Sequence, residues 1–307
     1  MLKTNKNRKI VFFLLKLTLF AGVLYMLYMH LNGVADRVWS DFKFERPLFL
    51  VIAVVLVFPN IWIAYLKWKA TLKVMELGTD QNRTMQSFFA GVVMGMVTPN
   101  MMGNFIGRFY YFDKEQRPTI TILTLFSNFA QLLATLLFGV VSALILGEIY
   151  IVGEGTYYIA ILIGGTLLAF LGYFYSDRVL NLAKKKLNIY RSREILKSHP
   201  KYRWLLIGYS MMRFAIFTLQ FSLVMYSFGE SYSWELILAI WQVYMITLVI
   251  PSLFFGKLGI KEFVSISVLG ALGMNEFSIL FTSLIIWFVN SLTPALVGLI
   301  ICKPSKA

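Results

Sequence analysis

The stretch Val249-Ile250-Pro251-Ser252-Leu253-Phe254-Phe255-Gly256-Lys257-Leu258-Gly259-Ile260-Lys261-Glu262 lies between two apolar runs. An uninterrupted membrane-spanning helix avoids every polar or helix-breaking residue in it. Pro251 removes a backbone donor and clashes with the preceding turn, while Gly256 and Gly259 loosen the chain on its C-terminal side. Freed backbone groups cannot face hydrocarbon, so such a break has to be buried in protein or line a wet cavity. An ionisable residue beside it, here Glu262, marks a candidate functional site.

Composition sets the environment around that break. The chain has 307 residues, 58% hydrophobic and only 14% charged, whereas soluble domains sit near a quarter charged. Apolar runs longer than about 18 residues recur, so the expected fold is an all-α, polytopic membrane bundle. The net charge of +14 reads as topology rather than nucleic-acid binding, because Lys and Arg gather in a few segments between apolar runs. Those segments also attract anionic lipid headgroups. The single Cys302 excludes an internal disulfide and a multi-cysteine metal site, and His30 and His199 stand far apart. No cofactor or metal is expected. The patterns of ATP-driven and standard hydrolytic chemistry are missing.

Read in order, Lys3, Lys6, Arg8 and Lys9 hold the N-terminus in the cytoplasm. The run 10–31 is a retained first span rather than a cleaved signal. A second span covers 47–66, with a kink at Pro59, and Lys67, Lys69 and Lys73 mark a cytoplasmic return. The piece Thr84–Thr98 is too short to span comfortably and ends in Pro99-Asn100-Met101-Met102-Gly103-Asn104-Phe105-Ile106-Gly107-Arg108. It reads as a re-entrant hairpin from the cytoplasm. Spans at 119–147, 157–175, 204–228 and 277–301 come next, with 147–156 and 229–233 outside and the basic 177–203 segment inside. The C-terminus then faces the cytoplasm only if 234–273 is a second hairpin, entering from outside. The total is six spans and two broken hairpins, eight hydrophobic segments in all, in repeat halves of about 1–150 and 151–307.

The two breaks share a pattern. Pro99 is followed eight residues on by Gly107, and Pro251 eight residues on by Gly259, with Arg108 and Lys261-Glu262 next. Three crossings per half invert the second half, and inverted repeats with paired broken helices place a binding site near the bilayer midplane. The simpler alternative is that both prolines kink ordinary helices and give eight plain spans.

On these residues the chain resembles the membrane region of lysylphosphatidylglycerol synthases, a flippase-like family, over about 10–301. Pro99…Gly103…Arg108 and Pro251…Gly256…Gly259-Ile260-Lys261-Glu262 carry the likeness, the second more specifically. Asn104 stands where the family often has an acid, and Asn128 and Gln131 occupy a helix where members often carry an arginine. The resemblance implies movement of phospholipid, aminoacyl lipid or lipid-linked phosphate between leaflets of a bacterial inner membrane. It also implies that synthase activity belongs to a further soluble domain, which this sequence does not show. An accessory subunit for a separate synthase, or a membrane-embedded transferase, is the alternative.

The candidate substrate-binding residues are therefore Arg108, Glu262, Lys261, Gly103, Gly259, Asn104 and Asn128, around structural breaks at Pro99, Gly107, Pro251 and Gly256. Arg108 either holds a lipid phosphate or snorkels to the cytoplasm. Glu262 is expected to pair with Arg108, since Lys261 diverges from it on a helix, and substrate phosphate is expected to compete for that arginine. Asn128, Gln131 and Gln242 either line the cavity or act as polar glue.

Overall fold

The computed structural model describes residues 43–77, 80–98, 101–150, 153–154, 156–178, 190–250 and 257–302. The expected first span at 10–31, and Pro99, Pro251 and Gly256, lie outside them. The first described span, Pro47–Val74, is split into α1 (Pro47–Val55) and α2 (Val57–Val74). Pro59 accounts for the split, since its ring occupies the place of the Val55 carbonyl and it has no N–H to offer it. Then come α3 (Gln81–Val97), α4 (Gly103–Phe109), α5 (Arg117–Leu146) and a two-residue antiparallel pair, β1 (Glu148–Ile149) with β2 (Gly153–Glu154). The second half holds α6 (Thr156–Phe174), the short α7 (Tyr190–Ser198), α8 (Pro200–Ser227), α9 (Trp234–Val249) and α10 (Ile260–Leu269). It closes with α11 (Glu276–Trp287), a π-helical turn at Phe288–Leu292 and α12 (Thr293–Ile301), which together make one span. Five described spans are long and apolar enough to cross a membrane. They correspond to five of the six expected; the sixth, at 10–31, lies outside the described residues.

Both short segments are hairpins. Asp80 caps α3 by accepting the Arg83 N–H at 2.5 Å. At its far end Thr98 donates to the Met94 carbonyl at 2.7 Å and accepts the Gly103 N–H at 2.6 Å, tying the end of α3 to the start of α4. α4 then lies directly on α3. A Cβ on Gly103 would stand 2.2 Å from the Met94 oxygen, and one on Gly107 only 2.1 Å from the Ala90 oxygen. Arg83 Nε donates to the Tyr111 carbonyl at 2.7 Å, so the hairpin leaves at the end of the bundle where it entered. In the second hairpin Ser233 caps α9 through the Leu236 N–H at 3.1 Å. Past α10, the Asn275 N–H reaches Glu230 at 3.1 Å, so this hairpin too returns to its own end. Each turn holds a non-glycine residue with positive φ, Met101 at 56° and Lys257 at 71°.

The two ends of the bundle are distinct. At one, Arg191 reaches the Met75 carbonyl at 3.5 Å, Arg203 reaches Asp177 at 2.8 Å and Cys302 reaches the Gln86 carbonyl at 3.5 Å. At the other, the Arg46 N–H bonds the Ser227 carbonyl at 3.1 Å, and Gln242 holds the Glu148 carbonyl and the Tyr150 N–H at 2.8 and 3.0 Å. Gln242 is thus polar glue. The first hairpin opens to the first end and the second to the opposite one.

The halves exchange partners. The second hairpin packs on the last helix of the first half, where Gly139 admits Met245 and Ser142 Oγ donates to the Leu238 carbonyl at 2.7 Å. The first hairpin packs on the last helix of the second half, where Gly298 admits Val93 and Phe89. A glycine at the same place in each half lets two helices approach, and dispersion contacts between closely packed backbones hold helices together where lipid offers no hydrophobic contrast. The architecture is a polytopic helical bundle in which, among the described residues, the two hairpins open to opposite ends.

Candidate cationic site within the bundle

Three cations converge inside the half of the bundle next to the first end. Lys67, read from the sequence as a cytoplasmic marker, instead points inward from α2 and is only 5% exposed. Its Nζ donates to the Ser127 carbonyl at 2.9 Å and to Ser210 Oγ at 2.8 Å, bridging α5 and α8. Lys69 and Lys73, on the same helix, are exposed as expected.

Arg108 closes α4 and is 7% exposed, so it does not snorkel. Its guanidinium lies 4.6 Å from the Trp68 ring centroid and 5.9 Å from that of Phe88. Trp68 is fixed in turn by its Nε1–H bond to Ser87 Oγ at 2.9 Å. Arg108 Nε is buried without a hydrogen-bond partner. A cation over an aromatic face is stabilised, yet its donors stay available for an acceptor.

Arg213 projects from the middle of α8. Its Nε donates to Asn60 Oδ1 at 3.0 Å and its guanidinium lies 5.4 Å from the Phe217 ring. Because arginine can only donate, Asn60 must turn its oxygen toward it and its amide nitrogen away. That orientation propagates. Asn60 Nδ2 donates to Asn290 Oδ1 at 2.6 Å, Asn290 Nδ2 to Gln220 Oε1 at 3.0 Å, and Gln220 Nε2 to the Ala53 carbonyl at 2.9 Å. Asn290 sits in the π-helical turn, just before Pro294, whose missing N–H leaves that turn unable to stay α-helical.

Lys67 is within electrostatic range of both Arg108 and Arg213, and those two are within range of each other. Among the described residues the ion pairs are Arg193–Glu194 at 3.6 Å and Arg203–Asp177 at 2.8 Å, neither of them in this cluster. At 1.5 Å rise per residue, Lys67 lies about 10 Å and Arg213 about 20 Å inward from that end of its own helix. Three like charges that deep, with no carboxylate paired to them among the described residues, are costly unless an anion joins them.

Glu262 lies elsewhere. It is 1% exposed, and its oxygens accept the Gly259 N–H at 2.5 Å and Ser283 Oγ at 3.1 Å. The expected pair with Arg108 is not formed. Local geometry wins, because Glu262 is the third residue of α10 and reaches back to the free N–H at that helix's start, as acids at this position do. Gly259 takes φ 84°, a conformation that side chains rarely adopt. Lys261 is half-buried, its Nζ 4.8 Å from the Tyr244 ring and 5.3 Å from that of Phe221, with the Tyr244 hydroxyl at 3.4 Å. Lys257 Nζ donates to the Thr247 carbonyl.

Of the other candidates, Gly103 and Gly107 seat α4 on α3. Asn104 is half-buried, with Oδ1 buried and unpartnered. Asn128 is exposed on α5. Gln131 bonds the Ser210 carbonyl at 3.3 Å, beside Lys67, while its own oxygen is unpartnered. Sequence reasoning read Lys67 as a cytoplasmic marker and missed Asn60. Asn60, Lys67 and Thr71 fall at spacings of seven and four on one helix face, as do Ser210, Arg213 and Gln220 at three and seven. A polar stripe at that period in an apolar helix is a usable signal. No group of three or more His, Cys, Asp or Glu placed to hold a metal occurs among the described residues.

A family model described as lysylphosphatidylglycerol synthase TM region matches residues 13–298. No curated protein and no solved structure matches the chain.

Proposed function

The chain belongs to the lysylphosphatidylglycerol synthase TM region family, and from that premise we propose that it carries a lipid with a phosphate headgroup between the leaflets of a bacterial inner membrane. It is a multi-pass membrane protein, and family membership points to membrane lipid as its business. The lipid is a phospholipid, an aminoacyl lipid or a polyprenyl-linked lipid. The observation that carries the reading is the buried trio Arg108, Lys67 and Arg213, which has hydrogen-bonded scaffolding but, among the described residues, no paired carboxylate.

In this reading Arg108 offers its planar fork to a phosphate, Lys67 supplies a point charge, and Arg213 takes the headgroup toward mid-bilayer while the acyl tails stay in lipid. Gly103 and Gly107 hold Arg108 in place, and Asn104 and Asn128 flank the hairpin and α5. Lys261, Gly259 and Glu262 set the second hairpin's geometry. The basic end, with 67–83, 177–203 and both termini, faces the cytoplasm by the positive-inside rule.

Headgroup accessibility in proteoliposomes tests the proposal. Wild-type protein is expected to expose a labelled phospholipid of the inner leaflet to an external reductant faster than empty vesicles do. Arg108→Gln and Lys67→Met are expected to return that rate to background. A wild-type rate in both variants would reject the cationic site.

A further inference from the structure

The bundle's basic end carries a cavity of about 510 Å³, separate from the buried cations. Lys73 from α2, Lys201 from α8 and His199 just before it line it, as do Ala70 and Leu205, which lie about one turn further in on the same two helices. Among the described residues no carboxylate lines it. Both lysines are exposed and belong to different helices, so basic residues border the concavity from two helices rather than lying along one helix face. Tyr202 also lines it, with a hydroxyl 2.8 Å from Thr71 Oγ1, and lies within electrostatic range of Arg108. Tyr202 thus borders the cavity and stands within electrostatic range of one of the buried cations.

We propose that this cavity is a docking site for an anionic phospholipid of the adjoining leaflet. Its phosphodiester sits between Lys73, Lys201 and His199, and the start of an acyl chain lies against Ala70 and Leu205. The two-part lining fits that occupant. A basic surface alone holds any anion, and an apolar groove alone any lipid tail, whereas a cavity with one wall of each matches a molecule that is itself divided. The site is at interfacial depth, where lysines meet headgroups. It rests on the lipid-carrier reading, to which it adds the place of loading: a headgroup held here lies against Tyr202, itself within electrostatic range of Arg108.

The test uses the full chain purified in detergent, with the thermal unfolding midpoint read against added dioleoylphosphatidylglycerol, dioleoylphosphatidylcholine or inorganic phosphate. Phosphatidylglycerol is expected to raise the midpoint of wild type, and of Lys69→Gln, which removes an exposed lysine outside the cavity. The Lys73→Gln/Lys201→Gln double variant is expected to weaken the apparent affinity roughly tenfold or more. Ala70→Trp keeps every charge but fills the cavity, and it is expected to abolish the response. Leu205→Trp does the same from the other helix should the first variant not fold. A wild-type response in the folded tryptophan variant would reduce the effect to surface charge and overturn the proposal. An equal shift from inorganic phosphate would overturn it in favour of a small-anion site. Failure here leaves the Arg108 dependence of translocation standing. Conversely, lipid docking with translocation indifferent to Arg108 and Lys67 would keep this site and reject the carrier reading.

Discussion

Lys67 Nζ lies 2.8 Å from Ser210 Oγ, joining the first described span to α8 through a cation that has no acid paired to it among the described residues. A buried ammonium with two neutral acceptors is incompletely compensated for its lost hydration. Lys67→Met keeps the length and removes the charge. Its thermal stability is expected to equal wild type or exceed it by about 1 kcal/mol or more, while headgroup translocation falls to background. Lower stability with unchanged translocation would make Lys67 a structural brace.

The spans and hairpins were legible because membrane crossing needs length and apolarity, and because Pro59, Gly103, Gly107 and Gly259 punctuate the chain where it bends. Alternating basic segments then forced the two hairpins to open to opposite ends. The site was only half legible. Lys67 ends an apolar run and is followed by Lys69 and Lys73, so linear order assigns it to the surface, whereas helical phase turns it inward. The partner of Glu262 was not legible either. A pairing across the bundle depends on where two hairpins stop, and a helix start three residues away offered a nearer donor.

Gly107 tests the first hairpin. An alanine there would place Cβ 2.1 Å from the Ala90 carbonyl oxygen, a backbone atom that cannot move without its helix. Gly107→Ala is expected to cost about 1–3 kcal/mol or more, and to lower translocation by shifting Arg108 off Trp68. Gly165→Ala, in α6 with nothing within 4 Å of the new methyl, is expected to be neutral or stabilising by up to about 1 kcal/mol. Equal midpoints for the two variants in detergent would contradict the close packing of α4 on α3.

Asp177 lies beyond the end of α6, where Arg203 donates to it at 2.8 Å and holds its carboxyl below the usual range. A carboxylate with a depressed folded pKa stabilises the fold above its unfolded pKa of about 3.9, and the contribution is lost as pH falls through the folded value. The site is partly solvated, so the expected gain is below about 1 kcal/mol. The unfolding midpoint of Asp177→Asn is expected to fall short of wild type by a constant amount at pH 6–7. The two curves should close together below about pH 4. A gap that widens on acidification would contradict the assignment.

Arg108 and Glu262 offer the sharpest discrimination, because an ion pair between the two broken helices and the separate partners observed for each predict different couplings. Glu262 is tied to Gly259 at 2.5 Å and Ser283 at 3.1 Å, while Arg108 stacks on Trp68 at 4.6 Å. Glu262→Gln leaves one oxygen to serve two donors, so it is expected to lose about 1–3 kcal/mol. Arg108→Gln removes an uncompensated charge and is expected to be far less harmful to stability. Residues without shared partners combine additively to within about 0.5 kcal/mol, whereas a bonded pair departs from additivity by about 0.5–3 kcal/mol. The double variant Arg108→Gln/Glu262→Gln is therefore expected to be additive. Glu262→Gln combined with Ser283→Ala, which share one hydrogen bond, is expected to cost less than the sum of the singles. Unfolding midpoints in one detergent, converted with one unfolding entropy, give both cycles. Strong coupling between Arg108 and Glu262, with none between Glu262 and Ser283, would mean that the hairpin tips meet in the working protein and that the carboxylate belongs to the phosphate site after all.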